Sequence, residues 1–135
     1  MTEKFNIKEC VNGRLGRMKR TVDAIYRKHL APLGMTESQS MILLSLKEMG
    51  TVKQIELARL LNFEKSSLSR NLVRLAQEGY VNKTSDYHPT LYLSKSGHRF
   101  VVELDKAWSN AMSEVTTKIG RDGWQALAAL EHSFE

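Results

Sequence analysis

Apolar side chains recur along the chain at helical spacing, in stripes that glycine, proline and short polar breaks separate. The first stripe steps by three and four residues from Val11 to His29, which predicts one long amphipathic helix. Its members are Val11, Leu15, Met18, Val22, Ile25 and His29. Pro32 and Gly34 are expected to end this helix, because both residue types disfavour its continuation.

A second helix is predicted to begin after Thr36 and to be buried on most sides. Thr36 and Gln39 have the spacing of a capping box, in which each side chain bonds the backbone N–H of the other residue. The apolar residues that follow cover much of the helix surface, as expected of a central core helix, and they are Met41, Ile42, Leu43, Leu44 and Leu46. Gly50 is its predicted C-terminal stop.

Two shorter helices joined by a brief turn follow. Val52 to Leu61 is predicted as the first and Glu64 to Glu78 as the second, with a break at Asn62 and Phe63. Gly79 ends the second helix at a position where a left-handed residue is favoured. Two short helices around such a turn form the helix-turn-helix pattern, and the second is the candidate recognition helix.

A small β-hairpin, or wing, is predicted next from two β-prone runs, Tyr80 to Thr84 and Thr90 to Leu93. Ser94 is placed to cap a last long helix, which the segment from Gly120 to Gly123 interrupts. The predicted fold class is therefore mainly α with a small β-hairpin wing, a winged helix-turn-helix with N- and C-terminal dimerisation helices.

The domain organisation follows from where the apolar stripes lie. The chain is predicted as a single domain over residues 1–135, with a winged helix-turn-helix lobe at 36–93 and terminal helices at 8–33 and 95–135. A monomer of this size is expected to leave Trp108 or Trp124 exposed. Two terminal stripes are most simply buried against a second copy, which predicts a homodimer. The alternative is that the terminal helices pack only on their own domain.

Composition narrows the class of protein further. Hydrophobic residues make up 41% and charged residues 26% of 135 residues, which is typical of a soluble globular domain. No apolar run approaches the roughly 20 residues of a membrane span, and no secretory signal is recognisable. Cys10 is the single cysteine and cannot form an internal disulfide, which fits a reducing compartment. These features predict a cytoplasmic protein without a membrane partner.

The net charge of +5 indicates a polyanionic partner. A first set of bases, from Arg14 to Lys28, is interpreted mainly as solvated helix surface. A second set lies in and around the predicted helix-turn-helix. Its members are Lys53, Arg59, Lys65, Arg70 and Arg74. The position of this second set favours a nucleic-acid interface.

An enzyme is not predicted. The sequence shows no Ser/His/Asp order, paired-carboxylate motif or glycine-rich phosphate loop, and the four histidines are scattered. His29 is expected to be a packed or bridging side chain, since no further ligand stands at metal-binding spacing. Neither a metal nor a cofactor is therefore expected.

Three segments resemble the MarR family of winged helix-turn-helix regulators. They are "LGRMKRTVDAIYRKHLAPLGMTESQSMILLSL", "IELARLLNFEKSSLSRNLVRLAQEGYV" and "LSKSGHRF". They occur in that family's order and spacing over nearly the whole chain. The resemblance implies a homodimer whose terminal helices form the interface and which binds duplex DNA as a transcriptional regulator, most simply a repressor at a pseudo-palindromic operator.

The resemblance also implies which residues contact DNA. Ser66, Ser67, Ser69 and Arg70 match the base-reading face of the recognition helix, and Lys65 and Arg74 match positions near phosphates. An arginine can bind guanine O6 and N7 through two hydrogen bonds, which suits Arg70 to this role.

The wing departs from the family pattern. Its tip contains Asp86 and His88, and no arginine or lysine lies between Lys83 and Lys95 where the family usually places an arginine for the minor groove. Lys83 and His88 are therefore the wing's candidate DNA contacts. Glu64 and Lys53 also replace the small hydroxyl or capping residues that are usual at their positions.

A small-molecule effector is implied as well, because many members of the family release DNA on binding aromatic or anionic ligands. The candidate effector residues are Met18, Tyr26, His29 and Met41, with Arg14 or Arg17 to pair an anionic group. The alternative for each of the apolar positions is ordinary core packing.

Two alternative functions remain open at this level. The arginine-poor wing would suit a protein–protein adaptor that has lost DNA binding, although Arg70 and Arg74 favour DNA. One branch of the family senses hydroperoxides through an N-terminal cysteine, and Cys10 lies in that region, but its flanking residues "IKECVNG" lack the pattern of that branch.

Overall fold

The order of the elements follows the predicted pattern of helices and breaks. The computed structural model describes residues 4–85 and 87–135, so Asp86 at the wing tip lies outside the described residues. The helices are α1 (Val11–Leu30), α2 (Glu37–Met49), α3 (Gln54–Leu61), α4 (Lys65–Gln77) and α5 (Lys95–His132), with a 3-10 turn at Ala31–Leu33. The strands are β1 (Thr51–Lys53), β2 (Val81–Lys83) and β3 (Thr90–Leu93).

The central helix α2 begins at the predicted capping box. Thr36 Oγ1 accepts a hydrogen bond from the Gln39 amide at 3.2 Å, and Gln39 Oε1 accepts one from the Thr36 amide at 3.1 Å. Ile42, Leu43 and Leu46 are fully buried on α2. These three side chains anchor the core of the lobe, because each full burial of this kind stabilises the fold by about 1.5–3 kcal/mol.

The sheet has three strands, not the two of the predicted hairpin. Its order is β1-β3-β2, and both strand pairs are antiparallel. The prediction that the first short helix begins at Val52 is wrong, since Thr51 to Lys53 pair with β3 and α3 begins at Gln54. Val52 packs in the core from this strand. Its apolar side chain therefore correctly indicated a buried position, but the position belongs to a strand and not to a helix.

The start of α5 is fixed against the turn that ends α4. Ser94 caps α5 through the Gly97 amide at 3.0 Å, as predicted, and the Ser94 amide donates to the Tyr80 carbonyl at 2.9 Å. The Ser96 hydroxyl donates to the Gly79 carbonyl at 2.7 Å. These bonds join the end of α4 to the long C-terminal helix α5.

The interruption of α5 lies at Gly120, which has a positive φ of 66°. A residue with a side chain is strained in this region, so glycine suits the break. The helix resumes immediately and continues to His132. The predicted interruption is therefore confirmed, but it affects only Gly120 and not the whole segment from Gly120 to Gly123.

Burial differs between the lobe and the terminal helices. α1 contacts α5 through Tyr26 and Trp108, whose ring centroids lie 4.6 Å apart, so Trp108 is half-buried within the chain. Trp124 is 50% exposed, and Val11 and Phe134 are exposed still further. The ends of the chain therefore present apolar side chains to solvent. No helix in the described ranges combines the length and apolarity of a membrane span.

Candidate nucleic-acid interface

Helix α4 separates an apolar face from a basic and hydroxyl-bearing face. Leu68, Leu72 and Leu75 are buried and hold the helix against the lobe. The opposite face exposes Lys65, Ser66, Ser69, Arg70 and Arg74. The helix contains three cationic side chains and no carboxylate. A rigid helix with this surface suits contact with a polyanion.

Hydrogen bonds connect several side chains of this face. The Arg70 guanidinium donates to Ser67 Oγ at 3.4 Å, and the Asn71 amide group donates to the Ser67 carbonyl at 3.1 Å. Gln54 at the start of α3 donates to Ser69 Oγ at 3.3 Å. Ser67 is half-buried, so it supports the orientation of Arg70, while Ser66 and Ser69 remain accessible.

Gln54 also belongs to this surface, although the sequence pattern did not indicate it. Its side-chain amide reaches Ser69 across the angle between the two helices. Amide side chains are suited to reading base edges. Its location fifteen residues before Ser69 gives no local signal, and only the helix-turn-helix spacing itself could have indicated it.

The first turn of α4 is open. Glu64 is its N-cap residue but makes no side-chain capping hydrogen bond, and the first turn contains no acidic residue. The leading amides of a helix lack partners within it and carry a partial positive charge. This end of α4 therefore adds to the attraction that Lys65 exerts on an anion.

The wing is short and closed near its base. The Thr84 amide donates to the Thr90 carbonyl at 3.0 Å, and the Thr90 amide donates to Thr84 Oγ1 at 3.1 Å. His88 adopts a positive φ of 49°, and its ring lies edge-on to Tyr87 with centroids 4.2 Å apart. Lys83 is exposed on β2. The two candidate wing residues thus flank a tight loop.

The wing tip and the helix-turn-helix share a cleft of about 510 Å³. Lys65 and Ser69 of α4 line it on one side and His88 of the wing on another. Lys53 also lines it, which makes the unusual lysine before α3 part of the same surface. The structure therefore brings together predicted residues from the recognition helix and the wing.

The candidate effector residues do not converge in the same way. Tyr26 and His29 face α5, where His29 Nε2 lies 3.0 Å from Glu114 Oε1, so the predicted bridging role of His29 is confirmed. Met41 is half-buried on α2, whereas Arg14 and Met18 are exposed on α1.

Arg17 lies on the exposed side of α1. Its guanidinium donates to the carbonyls of Ile7 and Lys8 at 3.5 and 3.4 Å. An open trough of about 620 Å³ runs along α1 and contains Arg17 but none of the other five candidates. Its lining is Arg17, Arg20, Thr21, Ala24, Ile25 and Lys28.

Two carboxyl groups, those of Asp23 and Glu37, lie near Tyr26 on the side of α1 that faces α2. Burial raises the pKa of Tyr26, and the nearby Glu37 carboxylate raises it further, so the phenol stays protonated at neutral pH. Lys19 contacts both Asp23 and Glu37, at 2.5 and 3.5 Å. Burial raises the pKa of Glu37, and its hydrogen bond with the Asp23 carboxyl raises it further.

Cys10 is the N-cap residue of α1 and is a half-buried free thiol without a side-chain capping bond. In the described ranges, no group of three or more histidine, cysteine or acidic side chains is arranged to hold a metal ion.

Comparison with known proteins identifies the lobe. The sequence model of the MarR family matches residues 35–87, which span α2 to the wing. No curated protein sequence matches the chain significantly. The family match therefore covers the helix-turn-helix and the first strand of the wing, and it ends before His88.

Solved structures match the fold over nearly the whole chain. A mutant MarR from Escherichia coli in complex with operator DNA has a TM-score of 0.82 at 22% identity, covering 97% of this chain and 99% of that chain. BpsR of Bordetella bronchiseptica, whose DNA binding is regulated by 6-hydroxynicotinic acid, has a TM-score of 0.87 at 14% identity and covers 98% of both chains. The transcriptional repressor CouR, bound to p-coumaroyl-CoA, has a TM-score of 0.85 at 22% identity, covering 99% of this chain and 97% of that chain.

At these identities the likeness establishes the fold. The chain is thus a winged helix-turn-helix protein whose residues 35–87 match the MarR family, within a fold that it shares with MarR-family regulators over nearly its whole length.

Proposed function

We propose that the protein is a transcriptional regulator that binds duplex DNA through α4 and represses the genes beside its operator. The observation that carries this proposal is the exposed face of α4, where Lys65, Arg70 and Arg74 stand among small hydroxyl side chains with no carboxylate on the helix. Small hydroxyls allow close approach to base edges and phosphates, and arginines provide bidentate contacts to guanine. The match of residues 35–87 to the MarR family supports the same function.

We further propose that the protein acts as a homodimer. Its division into a winged helix-turn-helix lobe at 36–93 and dimerisation helices at 8–33 and 95–135 is part of this proposal. Apolar side chains at both ends of the chain are exposed in the single subunit, including Phe5 at 80%, Leu127 at 47% and Phe134 at 77%. Their burial against a second copy would remove this apolar surface from water, which favours association.

Titration with duplex DNA at several salt concentrations tests DNA binding directly. A regulator is expected to bind duplex DNA with an affinity that falls steeply as salt rises, because bound cations release counterions from the phosphates. A protein–protein adaptor of the same fold would bind duplex DNA weakly at every salt concentration. Failure to bind any duplex at low salt, with the protein folded and dimeric, would contradict the proposal.

A small aromatic anion is proposed as the effector. BpsR is regulated by 6-hydroxynicotinic acid and CouR binds p-coumaroyl-CoA, so proteins of this fold take aromatic anionic ligands. In this chain Tyr26 packs against Trp108 and His29 lies 3.0 Å from Glu114 Oε1 between α1 and α5, so a ligand there would replace these contacts. Arg14 or Arg17 would pair its anionic group. Such a ligand releases DNA only if it binds more tightly to the dimer arrangement that cannot bind DNA than to the arrangement that can.

Titration of salicylate-like anions into a preformed DNA complex tests the effector. Dissociation of the complex at millimolar ligand is the expected result, with a matching loss of ligand affinity when DNA is bound. If none of these anions dissociates the complex, the proposed effector is contradicted, while the proposed DNA binding is unaffected.

A further inference from the structure

The cleft beside the recognition helix has a basic rim and an apolar floor. Its basic groups come from three separate elements: Lys53 precedes α3, Lys65 begins α4, and His88 belongs to the wing. The apolar lining is Ile55, Ala58, Leu68 and Pro89. At about 510 Å³ the cleft accommodates a small anionic group together with an apolar body.

The backbone fixes the relative positions of these elements. Lys53 pairs with Thr90 in the β1–β3 register, and the Gln54 amide donates to the Pro89 carbonyl at 3.0 Å. The wing tip is therefore tied to the start of α3 next to the recognition helix. A cleft built from paired backbone is preorganised, so little ordering is needed when a ligand binds.

Lys53 and Lys65 line the cleft without a counterion among the described residues. Across residues 4–85 and 87–135, neither Lys53 nor Lys65 forms an ion pair or a side-chain hydrogen bond. Three basic groups that line one cleft, with no ion pair to a carboxylate of the described residues, repel one another whenever they are charged. An anion bound between them would relieve this repulsion and would be held by several charge-assisted hydrogen bonds.

We propose that this cleft binds one sugar–phosphate unit of the DNA backbone at the edge of the major groove. The phosphate contacts Lys53, Lys65 and His88, and the apolar face of the deoxyribose packs on Ile55. The proposal rests on the proposed DNA-binding function and adds a role for the wing. In this protein the wing acts through a phosphate beside the recognition helix, which explains how it serves DNA binding without an arginine at its tip.

The salt dependence of duplex binding counts such contacts. Each phosphate contact contributes about 0.9 to the slope of log affinity against log salt. Lys53→Ala is expected to reduce the magnitude of the slope by up to about 0.9, the share of one phosphate, so that affinity falls up to about 3.5-fold less between 50 and 200 mM salt. His88→Lys replaces the imidazole in the cleft with an ammonium group and is expected to increase the magnitude of the slope, by less than the share of one full phosphate.

Two control variants change the charge equally outside the cleft. Lys106→Ala removes an exposed lysine from α5 that lies 3.6 Å from Glu103, and it is expected to leave the slope unchanged. Tyr87→Lys adds a charge to the neighbouring wing residue, which is exposed and does not line the cleft. It is expected to raise the slope less than His88→Lys does. Circular dichroism of each variant verifies that it is folded.

The outcomes separate this inference from the function on which it rests. If the wild-type protein shows no salt-dependent binding of duplex DNA, the proposed function itself fails. If the wild type binds DNA but Lys53→Ala keeps the full slope, the cleft does not hold a phosphate. An equal effect of Tyr87→Lys and His88→Lys would also overturn the inference, since general wing charge rather than the cleft would then set the slope.

Discussion

Arg70 is the residue on α4 whose chemistry is best suited to reading a base. Its guanidinium is exposed and lies 3.4 Å from Ser67 Oγ, which restricts its orientation. Arg70→Ala is expected to weaken binding to the preferred sequence by about 1–3 kcal/mol and to relax the preference at one base pair in each half-site. Affinity titration combined with sequence selection measures both effects.

Lys65→Ala provides the contrasting variant. A phosphate contact carries no sequence information, so this change is expected to weaken binding to all duplexes alike and to lower the salt slope. If Arg70→Ala leaves the selected sequence logo intact, the base-reading face has been assigned to the wrong residues.

The candidate site was only partly predictable at the level of residues. The polar face of α4 follows from one continuous segment, so the helical period and the family resemblance indicated Lys65 and Arg70 together. Lys53 and Gln54 reach the same surface from the start of α3, and the packing of two helices decides that contact. The local sequence showed that Lys53 is unusual at its position, but it could not show that Lys53 lies beside Lys65 and Ser69 in the folded chain.

At the scale of elements, the close contact between Gly97 and Tyr80 joins α5 to the segment that follows α4. A Cβ atom built on Gly97 would lie 2.2 Å from the Tyr80 carbonyl oxygen, which is backbone and cannot rotate away. Gly97→Ala is therefore expected to lower the free energy of unfolding by about 1–3 kcal/mol, in the range of overpacked core substitutions. Urea denaturation measures the change.

Gly16→Ala is the matched control for this substitution. Gly16 lies inside α1, where an added Cβ meets only the flexible end of Arg20 at 3.3 Å. Alanine favours the helix by up to about 1 kcal/mol relative to glycine, so this variant is expected to be at least as stable as the wild type. Equal stability of the two variants would show that the contact between Gly97 and Tyr80 does not constrain α5.

The ion pair between α1 and α5 predicts a pH dependence of stability. Hydrogen bonds from Lys28 and then His29 lower the pKa of Glu114 below its ordinary value of 4.5. A lowered folded-state pKa contributes stability that is fully present above the ordinary value and is lost as the pH falls through the lowered one. Glu114→Gln is expected to be less stable than the wild type at pH 7, and the difference is expected to shrink as the pH falls below the ordinary value of 4.5.

Urea denaturation of both proteins across this pH range tests the expectation. Glu103→Gln removes another carboxylate from α5, one that faces Lys106 at 3.6 Å on the surface, and it is expected to change stability little at any pH. A constant difference between Glu114→Gln and the wild type from pH 7 to pH 3 would mean that the contact does not depend on the charge of Glu114.

The sequence predicted elements well where the signal was local and poorly where it was not. The capping box at Thr36 and the break at Gly120 depend on the residues beside them, and both are confirmed. Strand β1 has only three residues and forms because Thr51 to Lys53 meet β3 about forty positions later in the chain. Such a short strand has too few alternations to distinguish it from the first turn of a helix.

At the scale of the whole molecule, the exposed ends of α1 and α5 predict a dimer. Sedimentation is expected to give twice the chain mass of 15.4 kDa. Leu127 is 47% exposed in the single subunit, so Leu127→Asp is expected to weaken association without disturbing the core of the lobe. Far-ultraviolet circular dichroism monitors the fold, and a wild-type protein that stays monomeric at micromolar concentration would refute the dimer.

The central claim is that two copies of α4 bind one duplex from the same side. Selection of bound sequences from random duplex DNA by the wild-type protein tests it most directly, because every possible operator is present in the starting pool. The expected result is a pseudo-palindrome with half-site centres about 10 bp apart, since a twofold dimer presents its recognition helices to successive major grooves. Enrichment of a single asymmetric site, or of no sequence at all, would contradict the claim.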